Sequence, residues 1–480
     1  MRQILRVALV VLLAAVLGVG SAWGDGQYYT DGNGVTWKCY LVGMSDVCSI
    51  AIPESNRGSI SGFVEIPKRV EVELAYRVAL EVVSIAPYAF KDCIGLTGVT
   101  IPGSVEVIAW EAFSGCRGLK EVTIPGSVTE IGKEAFSGCR GLRAVTIPGS
   151  VTKIGWGAFS GCSGLKSIGV ESGNKNYCAA GGVLFTKDKA TLVCYPGGKP
   201  KESYIIPSSV TEIGGGAFGG CSGLREITIP SSVKTINKNA FIDCKGLEAV
   251  TISDGVTEIG RRVFSGCSGL NAVYWFAKAN CRVEDEAFDG IASPATLYVR
   301  KGKKTEIESK SWCKFTNVVE GYVVTFNANG GTPASDVKIV EEGKTATAPT
   351  GLTKDGYTLV EWQLNGGKYD FSTPVTQDIT LVAVWKKKEE STPDNSETAV
   401  ESVRLAGVRV VRNPVGEALE LEGMERAARV EVYSVCGARV HAEALRGAPR
   451  VVIDAQGWAS GVYVVRVEAS DGARTLRVVK

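Results

Sequence analysis

The amino-acid sequence predicts a mainly β protein, in which a solenoid of stacked repeats is followed by two small β-rich modules. Three observations carry this expectation. The string "VTIPGSVTEIGKEAFSGCRGL" (122–142) returns almost unchanged as "VTIPGSVTKIGWGAFSGCSGL" (145–165), a displacement of 23 residues. Within each copy, apolar and polar residues alternate as in a half-buried strand. Beyond residue 320 the repeat stops, and short alternating runs separated by Asn-Gly-Gly and Cys-Gly turns take over.

At the N-terminus, Arg2 and Arg6 precede the apolar run "VALVVLLAAVLGVG", and Ala22 and Gly24 supply small residues. That is the pattern of an export signal over residues 1–24, with cleavage expected after Gly24. The run is short for a membrane span, and no second apolar run of about 20 residues follows, so no transmembrane segment is expected in the mature chain. Export also places the 14 cysteines where disulfides form. Residues 25–62 read as an N-terminal β cap.

The repeat occupies residues 63–320. Leu96, Leu119, Leu142 and Leu165 are spaced by 23, as are Leu224, Leu247 and Leu270. Phe90, Phe113, Phe136, Phe159, Phe218, Phe241 and Phe264 follow the same period. In "LKEVTIP" Val122 and Ile124 face inward, and Pro125 ends ladder pairing. "SVTEIG" is a second short strand, "EAF" is expected to be one helical turn with Phe136 as the core plug, and "SGCRG" returns the chain. One unit cannot cover its own apolar side, so about eight coils must stack, each touching its neighbours. Between Leu165 and Leu224 the spacing widens to 59 residues. "GGVLFTKDKATLVCYP" within it predicts a hairpin near 170–200, turning at Lys187 and Asp188 and extruded from one face of the stack.

Seven cysteines keep the repeat register: Cys93, Cys116, Cys139, Cys162, Cys221, Cys244 and Cys267. Seven cannot pair completely among themselves. In-register side chains on neighbouring coils lie about 4.8 Å apart, wider than the ~3.8 Å between Cβ atoms in a disulfide. They read as small buried thiols at a crowded bend. The off-register cysteines are the disulfide candidates: Cys39 with Cys48, Cys178 with Cys194, and Cys281 with Cys313. Spacing alone does not fix the connectivity.

The template L-x-x-V-x-I-P-x-x-V-x-x-I-x-x-x-A-F-x-x-C resembles the BspA-type leucine-rich repeat of bacterial surface proteins. The resemblance implies a leucine-rich-repeat solenoid, closed by "ATLYVRKGKKTEIESKSWCKFTNVVE" as an atypical last segment with Ile291 in the cysteine position. Residues 321–386, with "YVVTFNANGGT", "GYTLVEW", "FSTPVT" and "LVAVW", resemble the internalin-type B repeat (Listeria–Bacteroides repeat). In that family the module is a spacer or weak interaction unit, and Trp362 and Trp385 read as its core. Residues 387–402 are a charged linker containing Ser and Pro. Residues 403–480, through "VRNPVG", "VEVYSVCGARV", "GVYVVRV" and the terminal Lys480, resemble a type IX secretion C-terminal sorting domain, with Cys436 where a polar residue is usual. This resemblance implies transport by the type IX machinery to the outer surface of a Gram-negative bacterium, attached there or released.

Little catalytic chemistry is legible. A single histidine, His441, excludes most Ser-His-Asp, Cys-His and multi-His zinc arrangements. No phosphate loop, dinucleotide pattern or zinc spacing occurs, so neither cofactor nor metal is expected. "GGGAFGG" (214–220) keeps the repeat register and reads as a turn. "YYTDGNG" (28–34) lacks the rest of a calcium loop, and Glu130 and Glu134 read as solvated surface carboxylates. With 53 basic and 51 acidic residues, net charge argues for no nucleic-acid partner. One surface feature is singled out. Lys120, Arg143, Lys166 and Arg225 occupy the position after the strand leucine and are expected to line up on one face, with Arg117 and Arg140 near them. A cation row at strand spacing fits sulfated glycans or acidic protein patches; it equally serves as a solubilising face. Thr100, Thr123, Thr146, Thr228 and Thr251 are expected to form a parallel exposed row. The residues point to an exported, non-enzymatic solenoid, and the resemblance to BspA-type surface proteins implies an adhesin that binds host matrix proteins, glycans or other bacteria. The alternative is a cell-envelope scaffold without a specific ligand.

Overall fold

The computed structural model describes residues 26–42, 47–73, 77–200, 202–332 and 335–388, and in the C-terminal part 409–412, 418–422, 427, 429–434, 439–445, 450–455, 462–469 and 472–479. The expected signal segment, nearly all of the linker, and Asn413-Pro414, Cys436-Gly437, Gly461 and Lys480 lie outside the described residues. The chain divides into two compact units, 1–387 and 388–480.

The repeat builds a β-solenoid of about ten turns. Each coil contributes a longer strand from "LxxVxIP", such as Ala144–Ile147, and a two-residue strand from "VxxI", such as Glu130–Ile131. Both kinds pair in parallel with their equivalents, Ala144 opposite Ser167 and Glu130 opposite Lys153. Because the register shift equals the repeat, each apolar position meets its own copy, and Leu119, Val128, Ile131, Phe136 and Leu142 are all fully buried.

The "EAF" segment departs from the expected helical turn. The residue before Ala-Phe has positive φ, +52° at Glu111 and +54° at Glu134, which breaks any right-handed helix there. Its amides are directed between coils: Glu111 N–H bonds Lys133 O at 2.9 Å, and Phe113 N–H bonds Ala135 O at 2.7 Å. The bend is therefore a third inter-coil ladder, and it sets the phenylalanines face to face. Phe113 and Phe136 stack at 5.1 Å, Phe136 and Phe159 at 5.5 Å, Phe218 and Phe241 at 4.6 Å.

The ends of this aromatic column are closed by other residues. Trp37 meets Phe90 edge-on at 5.9 Å, its indole N–H held by Asp31 at 2.9 Å. Its strand, Thr36–Leu41, belongs to the N-terminal meander that starts the sheet. At the other end Trp312 packs on Trp275 and Phe288 at 4.5 and 5.9 Å.

The excursion after Leu165 is not extruded from the stack. Tyr177–Ala180, Val183–Thr186 and Thr191–Cys194 form an antiparallel meander, and the last of these pairs in parallel with Glu212–Ile213. It therefore serves as the short strand of a coil whose sequence has decayed. Tyr195, 23 residues before Phe218, stacks on it at 5.2 Å in the phenylalanine position. This hidden coil is one reason why about ten turns replace the eight expected. The meander is fastened by Asn174, which is 1% exposed. Its side-chain amide donates to Pro148 O and Val151 O at 2.7 and 3.0 Å and accepts from Asn176 N–H and Tyr177 N–H, both at 2.8 Å. The excursion divides the core in two, one cluster running from Trp37 to Cys194 and the other from Val183 to Val318.

The strand Asn317–Asn327 joins solenoid to module. Its first half pairs with Thr296–Arg300, and its second half with Ser335–Glu341 and Ile379–Lys387. The boundary expected at 320/321 falls within it, so one sheet spans both. Trp362 and Phe326 form the module core, and the Trp385 indole donates to Ala328 O at 2.7 Å. Val337 and Ile339 fold onto the outer face of the solenoid sheet against Tyr274, Phe276 and Tyr298.

In the C-terminal unit, a three-stranded sheet (Arg409–Arg412, Ala418–Glu422, Arg450–Asp454) and a four-stranded sheet (Arg439–Ala444, Arg429–Ser434, Val462–Ala469, Gly472–Val479) contribute to one core that includes Leu419, Val430, Ile453 and Val465.

Candidate functional site

The residue after each strand leucine points away from the core, because the leucine before it points in. Arg143 N–H bonds Lys120 O at 3.3 Å and Lys166 N–H bonds Arg143 O at 2.9 Å, so these three positions stack on consecutive coils. All three are exposed, and none enters an ion pair among the described residues. At strand spacing of ~4.8 Å, like charges repel by up to about 1 kcal/mol per neighbouring pair even in water. A bound polyanion would relieve that repulsion. Thr100, Thr123 and Thr146 run beside the cations, exposed. Arg117 and Arg140 are exposed on the return turns.

Arg225 does not continue this row. The excursion starts a new sheet at Ser203–Ile205, so the coil neighbours of Arg225 are Glu202 and Glu248. Its guanidinium bonds the Glu248 carboxylate at 2.8 Å. The threonine row is also shorter than expected, since Thr228 is half-buried and Thr251 is 3% exposed. On that half of the sheet, Lys338 of the following module reaches Glu226 at 3.6 Å and lies over the Tyr274 ring at 5.1 Å. The half of the face whose row cations enter no ion pair among the described residues is the N-terminal one.

All 13 described cysteines are free. The repeat thiols are buried, and six of them address the carbonyl of the aromatic residue one coil back. Cys116 lies 2.9 Å from Phe90 O and Cys244 lies 3.0 Å from Phe218 O. A small donor that fits the bend accounts for cysteine at this position. Burial pushes the Cys93 thiol up to about 11. The hydrogen bond that the Cys139 thiol donates to Cys162, with burial, holds Cys139 well above the ordinary value. Cys39 and Cys48 lie on paired strands with their thiols in contact. Cys178 and Cys194 cannot bridge, because Val183–Thr186 lies between their strands. Two strand spacings, about 9.6 Å, exceed disulfide reach. Cys281 is buried and Cys313 half-buried, each free.

The remaining sequence candidates are accounted for locally. Glu130 pairs with Lys153 at 2.8 Å and Glu134 with Lys133 at 3.3 Å. Asp31 accepts the amides of Asn33 and Val35, closing a turn. His441 lies on Arg439–Ala444, 3.5 Å from Glu443. The glycines of "GGGAFGG" pack against another coil: a Cβ on Gly220 would lie 2.8 Å from Gly161 Cα.

Sequence reasoning missed one surface. Trp110 and Trp156 are 44% and 54% exposed, and Lys238 Nζ lies 3.9 Å from the Trp156 ring centroid. The signal was present: residues 110, 133 and 156 are spaced by 23 and read Trp, Lys, Trp on the outer bend, three residues before each phenylalanine.

Residues 82–179 and 194–318 match the model of the BspA-type leucine-rich repeat region, in six copies. Residues 322–384 match the Listeria-Bacteroides repeat domain and residues 412–480 the secretion system C-terminal sorting domain. Among solved structures, a leucine-rich repeat protein from Eubacterium ventriosum is 25% identical, covering 61% of this chain and 93% of its own at a TM-score of 0.42. A leucine-rich cell surface protein from Faecalibacterium prausnitzii is 23% identical over 61% and 94%, with TM-score 0.36. The pneumococcal vaccine antigen PcpA is 21% identical over 62% and 98%, with TM-score 0.36. A comparison with curated proteins gives no match. No helix among the described residues is long and apolar enough to cross a membrane.

Proposed function

This exported cell-surface protein carries BspA-type leucine-rich repeats and a type IX sorting domain, and we propose that it is an adhesin that binds an extracellular polyanion through the N-terminal half of its solenoid sheet. The observation that carries the reading is the Lys120, Arg143, Lys166 ladder, exposed, in register and outside any ion pair among the described residues. Evenly stacked cations suit a ligand whose charges also repeat, such as a sulfated glycan chain of the host matrix or of a bacterial surface. Individually weak contacts then sum along the array. The reading is one of binding rather than turnover, which fits carboxylates paired with surface cations and thiols sealed in the core.

The test is retention of the purified full chain on immobilised heparin and on matrix proteins. The charge reversal Lys120→Glu, Arg143→Glu, Lys166→Glu is expected to abolish retention, and salt to weaken it, since exposed charges are screened within about 8 Å at physiological ionic strength. Arg225→Glu, whose site is already paired with Glu248, is expected to change retention little. Binding that survives the triple reversal refutes the ladder. Absence of any binding by the unaltered chain favours the scaffold reading.

A further inference from the structure

Where the two halves of the solenoid meet, the outer bend differs from every other coil interface. Elsewhere along the repeats the bend bonds to the next repeat, 22 or 23 residues on. Here Gly157 N–H bonds Gly215 O and Gly161 N–H bonds Gly219 O, both at 2.8 Å, a jump of 58 residues. The chain comes together on glycine: a Cβ on Gly216 would lie 2.8 Å from Gly157 Cα, and one on Gly219 would lie 2.0 Å from Ser160 Oγ. Gly215 also removes one side chain from the ridge that reads Trp110, Lys133, Trp156, Gly215, Lys238, Arg261. The gap opens a groove of about 510 Å³. Its wall is Trp156, with Arg140, Asn239, Asp243 and Lys245 around the rim. A second groove, of about 390 Å³, lies along the same Trp156 and Lys238 pair.

The chemistry of the first groove is selective. Its lining is glycine backbone, serine hydroxyls, one carboxamide, acids and bases, with Trp156 and Ile242 as the large apolar side chains. A peptide ligand relies on apolar or aromatic anchors seated in complementary pockets, and these walls supply few. A pyranose ring suits them better. One face of the sugar is a flat patch of C–H groups that stacks on an aromatic surface. Its edge is a ring of hydroxyls that needs mixed donors and acceptors, such as Asn239, Asp243 and Arg140. Lys238 over the indole fixes the Trp156 ring while leaving it 54% exposed.

We propose that this joint is a carbohydrate-binding groove, in which Trp156 stacks against a pyranose ring and Arg140, Asn239 and Asp243 hold its hydroxyls. The site is separate from the cation ladder, which lies on the sheet and not on the bend, so either holds or fails without the other. Arg140 and Lys245 on the rim, exposed and outside any ion pair among the described residues, extend the site to sugars bearing a carboxylate.

The test titrates the full chain with two panels, host-type mucin oligosaccharides and bacterial polysaccharide fragments, followed by calorimetry and tryptophan fluorescence. Millimolar or tighter binding to members of either panel is expected, and the panel identifies the source. Trp156→Ala is expected to weaken it at least about tenfold, as truncation of a central aromatic anchor does. Because Trp156 is half-exposed, its circular dichroism and melting midpoint should stay near those of the unaltered chain. Arg140→Ala, an exposed rim change, should weaken it severalfold, while the Lys120, Arg143, Lys166 reversal should leave it unchanged. Binding to neither panel, binding that survives Trp156→Ala, or binding lost only with the ladder each overturns the proposal.

Discussion

Two glycines at the same position of the repeat allow the joint to be weighed directly. Gly138 and Gly220 each follow Phe by two residues and have nearly identical backbones, φ +71° and +72°. They differ in what an added Cβ would meet. At Gly138 the nearest atom beyond its chain neighbours is Gly115 Cα at 3.7 Å, an ordinary contact, whereas at Gly220 it is Gly161 Cα at 2.8 Å. Gly138→Ala should therefore cost only the left-handed backbone term, about 1–2 kcal/mol. Gly220→Ala should cost that plus overpacking at a rigid backbone, a further ~1–3 kcal/mol. Urea unfolding of both full-length variants, followed by circular dichroism, measures the difference directly because the backbone term cancels. An additional loss of ~1–3 kcal/mol in Gly220→Ala is expected. Equal losses would mean that the two halves do not meet on these glycines, and the groove argument would fall with them.

Asn174→Ala leaves Pro148 O, Val151 O and two amides unpaired in a buried site, so a loss of about 2–4 kcal/mol is expected in the same urea assay. Phe136→Ala removes a buried ring stacked on both neighbours and should cost about 3–5 kcal/mol. The repeat thiols should be silent towards a water-soluble disulfide reagent at pH 8 in the folded chain and react after unfolding; rapid native reaction at Cys93 or Cys116 would contradict their burial. Alkali should destabilise the fold. Folded Cys93 and Cys281 titrate near 11, above the value of 9.0 for a free thiol. The unfolded chain therefore loses protons first, and stability falls as pH rises from about 9 to 11, by about 1.4 kcal/mol per pH unit for each thiol. A melting midpoint flat across that window would refute it.

The solenoid was legible because its code is local and repeated. Leu119, Val122, Ile124 and Phe136 declare their inward faces by spacing alone, and parallel in-register stacking makes each copy corroborate the next. The helical turn was misread because "EAF" suits a helix by propensity, while the amides of Glu111 and Phe113 are claimed by the neighbouring coil. The hidden coil was misread because Tyr195 replaces phenylalanine and no cysteine follows it, although "YIIPSSV" lies 23 residues before "ITIPSSV". The cation row was half legible. Its members followed from the period, as did Glu248 one repeat after Arg225, but the break that puts Glu202 in place of Lys166 beside Arg225 did not.

By itself, then, the sequence determined the coil, its inward residues and the modules strung after it, since each is written in spacings shorter than one repeat. The tertiary structure alone decided where the column of coils is interrupted, which half of the sheet stays open, and that residues near 140, 157, 215 and 240 share a groove. Those outcomes depend on the register at which the chain re-enters the stack after its excursion, and on a later strand folding back over Tyr274. Such contacts join residues roughly 60 positions apart, where no periodic pattern relates the partners.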